Sequence, residues 1–331
     1  MRAFVFPGQG VQRRGMGGDV FERFPVLCGQ ADTVLGYSIE RLCREDPRRL
    51  LNRTEYAQPA IYVVNALHHL DASGPDRPVA DYLAGHSLGE YNALLAAGCF
   101  DFETGLRLVR RRAELMAESD GGGMAAVVGV APAVIEEALR AGGLANVVIA
   151  NYNADEQCVL SGTAADLARA RPIFEKLDGV RGFVPLRVSG AFHSPLMEPA
   201  AAAFRTVLDT VDFDEPRTPV ISSVTGRPFA PGGQALRDAL AEQITRPIRW
   251  DECVRYLRRA GVTDFVEAGE STVLTSLIDK ITASEPAGGR PWREYRDEHV
   301  LALLRECANG TLGVDEVIDM IRAGGAAAGT G

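Results

Sequence analysis

The sequence predicts an α/β protein: a larger body on a mostly parallel sheet, with a smaller β-α-β-β-α-β unit inserted into it. Three observations carry this. Short apolar runs alternate with helical patterns along the first part of the chain, as in strands linked by crossover helices. The pentapeptide Gly85-His86-Ser87-Leu88-Gly89 stands between a strand-like and a helix-like run. Past the glycines at 121–123 the order of elements changes.

Residues 3–6 are apolar and short, fitting a buried strand, and run into the turn Pro7-Gly8-Gln9-Gly10. Two helical patterns follow, a short one over Asp46–Leu51 with Pro47 suited to a first helical position, and a longer one over Pro59–Leu70. Val79–Ala84 reads as a second buried strand, and Glu90–Ala97 as a helix closed by Gly98. The Gly-x-Ser-x-Gly between them is a candidate nucleophile elbow. A serine on so sharp a turn needs neighbours without Cβ atoms. It then stands at a helix N-terminus, where free N–H groups and the dipole favour developing negative charge. A helix over about Phe102–Glu118 completes this part.

Asp120–Gly123 reads as a hinge. Beyond it come a strand (Met124–Val130), a helix (Pro132–Ala141), two strands (Asn146–Asn151, Gln157–Ser161), a helix (Ala164–Leu177) and a strand (Gly182–Val188). That order is the split βαβ, ferredoxin-like arrangement. The chain returns to the larger body near Ser189, where Pro219–Val224 and Asp264–Glu267 read as further strands. After Ser284 come a linker and two short helical patterns, His299–Cys307 and Val314–Ile321; the last residues are expected to be disordered. The expected organisation is therefore 1–121 with 189–283 as the large unit, 122–188 as the small one and 284–331 as linker and helical tail.

The 331 residues are 46% hydrophobic and 24% charged, ordinary for a soluble globular chain. A net charge of −9 argues against nucleic acid as the main partner. The six cysteines are scattered, with no Cys-x-x-Cys pair to hold zinc or run redox chemistry. Neither a signal-peptide core nor an apolar run long enough to span a bilayer is found. A cytoplasmic protein without a membrane partner is expected.

A serine nucleophile needs a base, an oxyanion hole and a group that chooses the acyl chain. Of the five histidines, His193 lies in Ser189-Gly-Ala-Phe-His-Ser-Pro195, at an expected loop tip. His68, His69 and His299 read as packed or surface residues, and His86, beside the serine, as pocket wall. Gln9 sits at the carboxyl end of the first strand, where open α/β sheets build their sites. It can offer a backbone or amide N–H to an oxyanion, with the Leu88 N–H as the second donor. Arg110, Arg111 and Arg112 cannot all face one way on a helix. One turned inward would require an anion, and its planar fork suits a carboxylate; spacing alone leaves open which.

These segments together resemble the malonyl-CoA:acyl-carrier-protein transacylases of fatty-acid and polyketide synthesis. The resemblance rests on Phe6-Pro-Gly-Gln-Gly10, Gln58-Pro-Ala60, Gly85-His-Ser-Leu-Gly-Glu-Tyr91, Val109-x-x-Arg112-x-x-x-Met116, Gly190-Ala-Phe-His-Ser194 and Pro219-Val-Ile-Ser-Ser-Val-Thr-Gly226. It covers about residues 1–283 and implies a hydrolase-like large subdomain. It implies Ser87 as acyl carrier, His193 as base, and Gln9 with the Leu88 backbone as oxyanion hole. Arg112 would bind the malonyl carboxylate, while Gln58 and Asn153 would line the pocket. A carbonyl near the Gly269 loop would orient His193, although the family's Gly-Pro-Gly there reads Gly269-Glu270-Ser271. Asn153 leads into Ala-Asp-Glu-Gln157 in place of the usual Ser-Pro-Gly. The resemblance implies that Phe192, beside the base, goes with malonyl over methylmalonyl.

The resemblance also implies the partners, a CoA thioester and an acyl carrier protein, and no metal or diffusible cofactor. The form of the His193 segment resembles free-standing transferases that serve polyketide synthases in trans. Both partners are acidic, so local basic patches are expected to recruit them; Arg255, Arg258 and Arg259 share a helical face, with Arg246 and Arg249 upstream. The nearest rival is an acyl hydrolase built on the same elbow. An inward arginine separates the two, since neutral acyl chains have no use for a buried cation. A non-catalytic docking scaffold is the second rival.

Overall fold

In the computed structural model, which describes residues 1–73, 79–119, 121–188 and 190–284, the chain opens on β1 (Arg2–Phe6). A glycine-rich loop leads to α1 (Val20–Arg23), α2 (Pro25–Leu35), α3 (Ile39–Glu45) and α4 (Thr54–Ala72). Then come β2 (Tyr82–Gly85), α5 (Gly89–Ala96) and α6 (Phe102–Ala117). The small unit holds β3 (Gly122–Val128), α7 (Pro132–Ala141), β4 (Val148–Ala154), β5 (Gln157–Thr163), α8 (Ala164–Phe174) and β6 (Gly182–Pro185). The chain ends, within the described residues, with α9 (Glu198–Leu208), β7 (Val220–Ile221), α10 (Gly233–Glu242), β8 (Ile248–Arg249), α11 (Trp250–Arg259), β9 (Asp264–Glu267) and α12 (Val273–Ser284). The expected tail helices, with His299 and Cys307, lie outside the described residues, as do Asp120 and Ser189.

The first sheet is wholly parallel, in the order β7-β2-β1-β9. Ala3, Phe4, Val5 and Phe6 are all buried, the unbroken apolar run that a strand covered on both faces requires. Phe6 pairs with Gly85 at the ends of β1 and β2, so the loops that follow the two central strands leave the sheet side by side. The second sheet runs β6-β3-β5-β4-β8. Its first four strands are antiparallel in the ferredoxin-like order. The fifth, β8, comes from the larger body and pairs parallel with β4, Asn151 opposite Ile248. Two residues carry too little pattern to mark a strand, and β8 escapes sequence reading.

Several expectations are corrected. The helix expected over Asp46–Leu51 is a 3-10 turn over Pro47–Asn52, broken by Arg48 and Arg49 at φ +60° and +57°. The Asp46 carboxylate takes the Leu51 N–H at 2.9 Å, a local turn that competes with a helix. The longer helix begins at Thr54, five residues before Pro59, which lies inside it. A proline in a helix interior costs about 3 kcal/mol. Here the unbroken burial of Ala57–Leu67 offsets it. Helices α1, α2 and α3 went unread, although Pro25 starts α2 and Gly36, at φ +80°, stops it. The strand expected over Pro219–Val224 stops at Ile221, where Ser222 turns the chain by accepting the Gly226 N–H at 2.9 Å.

The elbow is packed to contact. A Cβ on Gly85 would lie 2.0 Å from the Gly89 carbonyl carbon, and one on Gly89 2.0 Å from the Phe6 carbonyl oxygen. Gly89→Ala is therefore expected to destabilise the fold by about 1–3 kcal/mol or more. Gly29→Ala on α2, whose Cβ meets nothing within 4 Å, is expected to gain about 0.5–1 kcal/mol. Urea unfolding of both variants beside the parent protein checks the contrast.

Candidate active site

Gly8 packs so closely on the second loop that its Cβ would meet the His86 carbonyl oxygen at 2.3 Å. This contact sets Gln9 beside Ser87. Ser87 stands on the elbow at φ +52°, a left-handed conformation that a non-glycine residue holds only when its surroundings demand it. Its Oγ lies 2.8 Å from His193 Nε2. His193 comes from the loop ahead of the 3-10 turn Pro195–Met197, is also left-handed at φ +58°, and donates its backbone N–H to Ile244 O at 3.1 Å.

His193 Nδ1 lies 2.7 Å from the Gln243 carbonyl oxygen. A carbonyl only accepts, so Nδ1 carries the proton and Nε2 is left to accept from the serine hydroxyl. The orienting carbonyl is thus that of Gln243, just past α10, and not one in the Gly269 loop as expected. That loop packs elsewhere: Glu270 pairs with Arg13 at 2.5 Å and accepts the Gly17 N–H at 3.2 Å. Burial, reinforced by the nearby Arg112 charge, lowers the His193 pKa to about 3.

Of the three arginines on α6, Arg110 and Arg111 pair with Glu114 at the surface, and Arg112 turns inward, 0% exposed. The signal was present, since Arg112 lies three residues after Val109 and four before Met116 on the buried stripe. Its Nη1 donates to Gln58 Oε1 at 2.7 Å, and its Nη2 to Gln243 Oε1 at 3.0 Å and Ser87 Oγ at 3.1 Å. The guanidinium carbon lies 5.6 Å from the Tyr91 ring centroid. All three acceptors are neutral, and among the described residues no carboxylate forms an ion pair with Arg112.

Gln9 Nε2 donates to Thr54 Oγ1 at 3.2 Å, and its Oε1 accepts from Gln58 Nε2 at 3.3 Å. With the amide engaged, the Gln9 backbone N–H is the group left beside that of Leu88; neither is taken by an acceptor among the described residues. His86 Nε2 meets Asn153 Oδ1 at 2.9 Å, placing both residues in the wall. Asn151 and Asn153 lie two residues apart on β4, and both are buried. Phe192 is buried beside His193. A cavity of about 280 Å³ joins these groups, lined by Gln9, Ser87, Arg112, Asn153, Phe192 and His193 among others. Every predicted site residue therefore meets one space.

Sequence reasoning missed Gln243 and Glu90 as site residues. Gln243 Nε2 donates to Ser87 O at 3.1 Å and Glu90 Oε1 at 2.9 Å. A lone amide past an amphipathic helix carries no signal of that role. His69 packs edge-on against Phe4 and Phe6 with centroids 4.9 and 5.3 Å apart, as a packed histidine. The basic face on α11 is not free: Arg255 pairs with Asp155, and upstream Arg249 pairs with Glu252 at 2.8 Å. Among the described residues, no group of three or more His, Cys, Asp or Glu could hold a metal ion, and no helix is long and apolar enough to cross a membrane.

A strand–elbow–helix serine, an imidazole fixed as acceptor and a buried cation on one cavity define an acyl-transferring serine enzyme. The acyl transferase domain family matches residues 3–304, and the chain belongs to it. It is 47% identical over 290 residues to the polyketide biosynthesis malonyl CoA-acyl carrier protein transacylase BaeC of Bacillus velezensis, covering 87% of this chain and 100% of that protein. It is 44% identical over 315 residues to the polyketide biosynthesis protein PksE of Bacillus subtilis, covering 95% of this chain but only 40% of that protein. A malonyl CoA-acyl carrier protein transacylase from Burkholderia pseudomallei superposes with a TM-score of 0.83 at 49% identity, over 87% of this chain and 99% of that one.

The low pKa of His193 has a measurable sign. The neutral imidazole is the active form, present above its folded pKa and lost below it. An ordinary histidine would lose neutral form about 20- to 30-fold between pH 7 and pH 5. With a value of about 3, labelling of Ser87 by a neutral fluorophosphonate is expected to keep roughly its full rate over that range. Stopped-time labelling at the two pH values, read by intact mass, checks it.

Proposed function

We propose that this chain transfers a malonyl group from CoA to the phosphopantetheine thiol of an acyl carrier protein through a seryl ester, supplying extender units to a polyketide synthase in trans from the cytoplasm. The observation that carries this reading is the buried Arg112 guanidinium, 3.1 Å from the Ser87 hydroxyl and paired with no carboxylate among the described residues. A neutral acyl chain would give that cation no direct partner; the short acid of a malonyl ester brings its own anion. The names of BaeC and the Burkholderia pseudomallei structure support the same substrate class and carrier protein.

The steps follow from the geometry. His193 Nε2 takes the Ser87 proton as Oγ attacks the thioester carbonyl. The oxyanion is held by the Gln9 and Leu88 N–H groups, at the start of α5. The C–S bond breaks, and the CoA thiolate takes the proton back from His193. The pantetheine thiol then repeats the sequence in reverse on the seryl ester, which makes the exchange ping-pong. Gln58 and Gln243 hold Arg112 ready for the substrate carboxylate, and Phe192 narrows the space near the acyl α-carbon. This reading calls for no metal or resident cofactor.

Ser87→Ala is expected to give no covalent adduct with malonyl-CoA by intact mass; a persisting adduct places the acyl group elsewhere. A charge-assisted contact contributes about 1.5–3 kcal/mol, so Arg112→Ala is expected to lose roughly 10- to 150-fold in kcat/KM for malonyl transfer. One added methyl is worth about 1–3 kcal/mol. Malonyl-CoA is therefore expected to outcompete methylmalonyl-CoA roughly 5- to 150-fold for the wild-type serine, and equal incorporation from a mixture refutes the role of Phe192.

A further inference from the structure

Among the described residues, Glu90 is the one fully buried carboxylate and Arg112 the one fully buried guanidinium, both 0% exposed. Opposite charges in a protein interior usually meet directly. Here a single amide stands between them. Gln243 Oε1 accepts from Arg112 Nη2 at 3.0 Å, and Gln243 Nε2 donates to Glu90 Oε1 at 2.9 Å. The other Glu90 oxygen accepts the Ser223 backbone N–H at 2.5 Å. The amide dipole is thus aligned with the charge pair, and the reverse orientation would face both charges with the wrong end. Arg112 keeps a face on the acyl cavity. A substrate carboxylate arriving there makes two anions for one buried cation.

We propose that Glu90 is a positioning residue of the acyl pocket: acting through Gln243, it balances the Arg112 charge while the pocket is empty, and it takes up a proton when a substrate carboxylate replaces it as counter-ion. This rests on the malonyl-transfer reading above.

The surroundings of Glu90 leave it as the group that titrates. The titratable and charged groups facing it are Arg112 from α6, Tyr91 beside it on α5 and Cys253 from α11. Burial pushes the Tyr91 phenol and the Cys253 thiol up, so both stay neutral at neutral pH. His193, held at about 3, is neutral as well. Burial raises Glu90 to about 7 despite the Ser223 and Gln243 hydrogen bonds and Arg112. A second carboxylate on Arg112 raises it further. The Ser223 hydroxyl, now a donor to Glu90, can turn to accept from the protonated acid.

The exchange itself is close to proton-neutral, because the serine proton leaves on the CoA thiol. Net uptake on loading therefore reports on the protein. The test mixes enzyme with malonyl-CoA, without carrier protein, in dilute buffer with an indicator dye. Protons taken up are divided by the serine acylation found by intact mass. Wild type is expected to take up about half a proton per acylated serine near pH 7.5, falling towards zero by about pH 5 where Glu90 is already protonated. Acetyl-CoA, which brings no carboxylate, is expected to give none, and Glu90→Gln none with malonyl-CoA. A malonyl adduct on wild type without uptake, or uptake that does not change with pH, overturns the proposal, and so does equal uptake by E90Q. If E90Q does not fold, the wild-type pH dependence decides alone. Failure of wild type to form any malonyl adduct overturns the malonyl reading and this proposal with it.

Discussion

A positive charge is buried 3.1 Å from a nucleophile, hydrogen-bonded to neutral oxygens, and the architecture around it keeps it there. Water would solvate such a cation better than the fold does, so each contact to Arg112 must be held by something rigid. Gln58 is fixed on α4, Gln243 past α10 and Ser87 on the elbow; α6 itself is seated by the buried stripe that carries Arg112. What the fold leaves unanswered is a direct anion, and the cavity is where one can enter.

Gln243 connects the three working groups. Its carbonyl fixes the His193 tautomer, its amide oxygen holds Arg112, and its amide nitrogen holds the Ser87 carbonyl. Base, nucleophile and acid-binding group therefore share one residue, and a displacement of that segment is felt by all of them. A neutral carbonyl suits the imidazole here, because a third charge in this space would compete with the substrate for Arg112.

Two close approaches place the cavity. Gly8 against His86 and Gly89 against Phe6 bring the loops of the central parallel strands together. The strand β8, lent to the small sheet, brings β4 and its buried asparagines to the same place. The acyl pocket thus has one wall from each sheet, and Asn153 on His86 joins them.

Local chemistry made much of this legible in the sequence. The apolar runs of β1 and β2, the glycines around Ser87 and the β-α-β-β-α-β order each rest on short local patterns, and these determined the main elements, the elbow and the ferredoxin-like insertion. Position along the chain marked out His193 and Gln9, and a resemblance carried by several short motifs in order added Gln58 and Asn153. Tertiary structure decided what pattern does not encode. The buried stripe of α6 marks Arg112 in the sequence, and the packing of that stripe against the rest of the fold is what desolvates its guanidinium. The carbonyl that orients His193 belongs to Gln243, 50 residues away in sequence, because backbone groups look alike in every sequence. The two-residue β8, the left-handed break at Arg48 and Arg49, and Glu90 set behind an amide all depend on neighbours distant along the chain, whose approach only packing fixes.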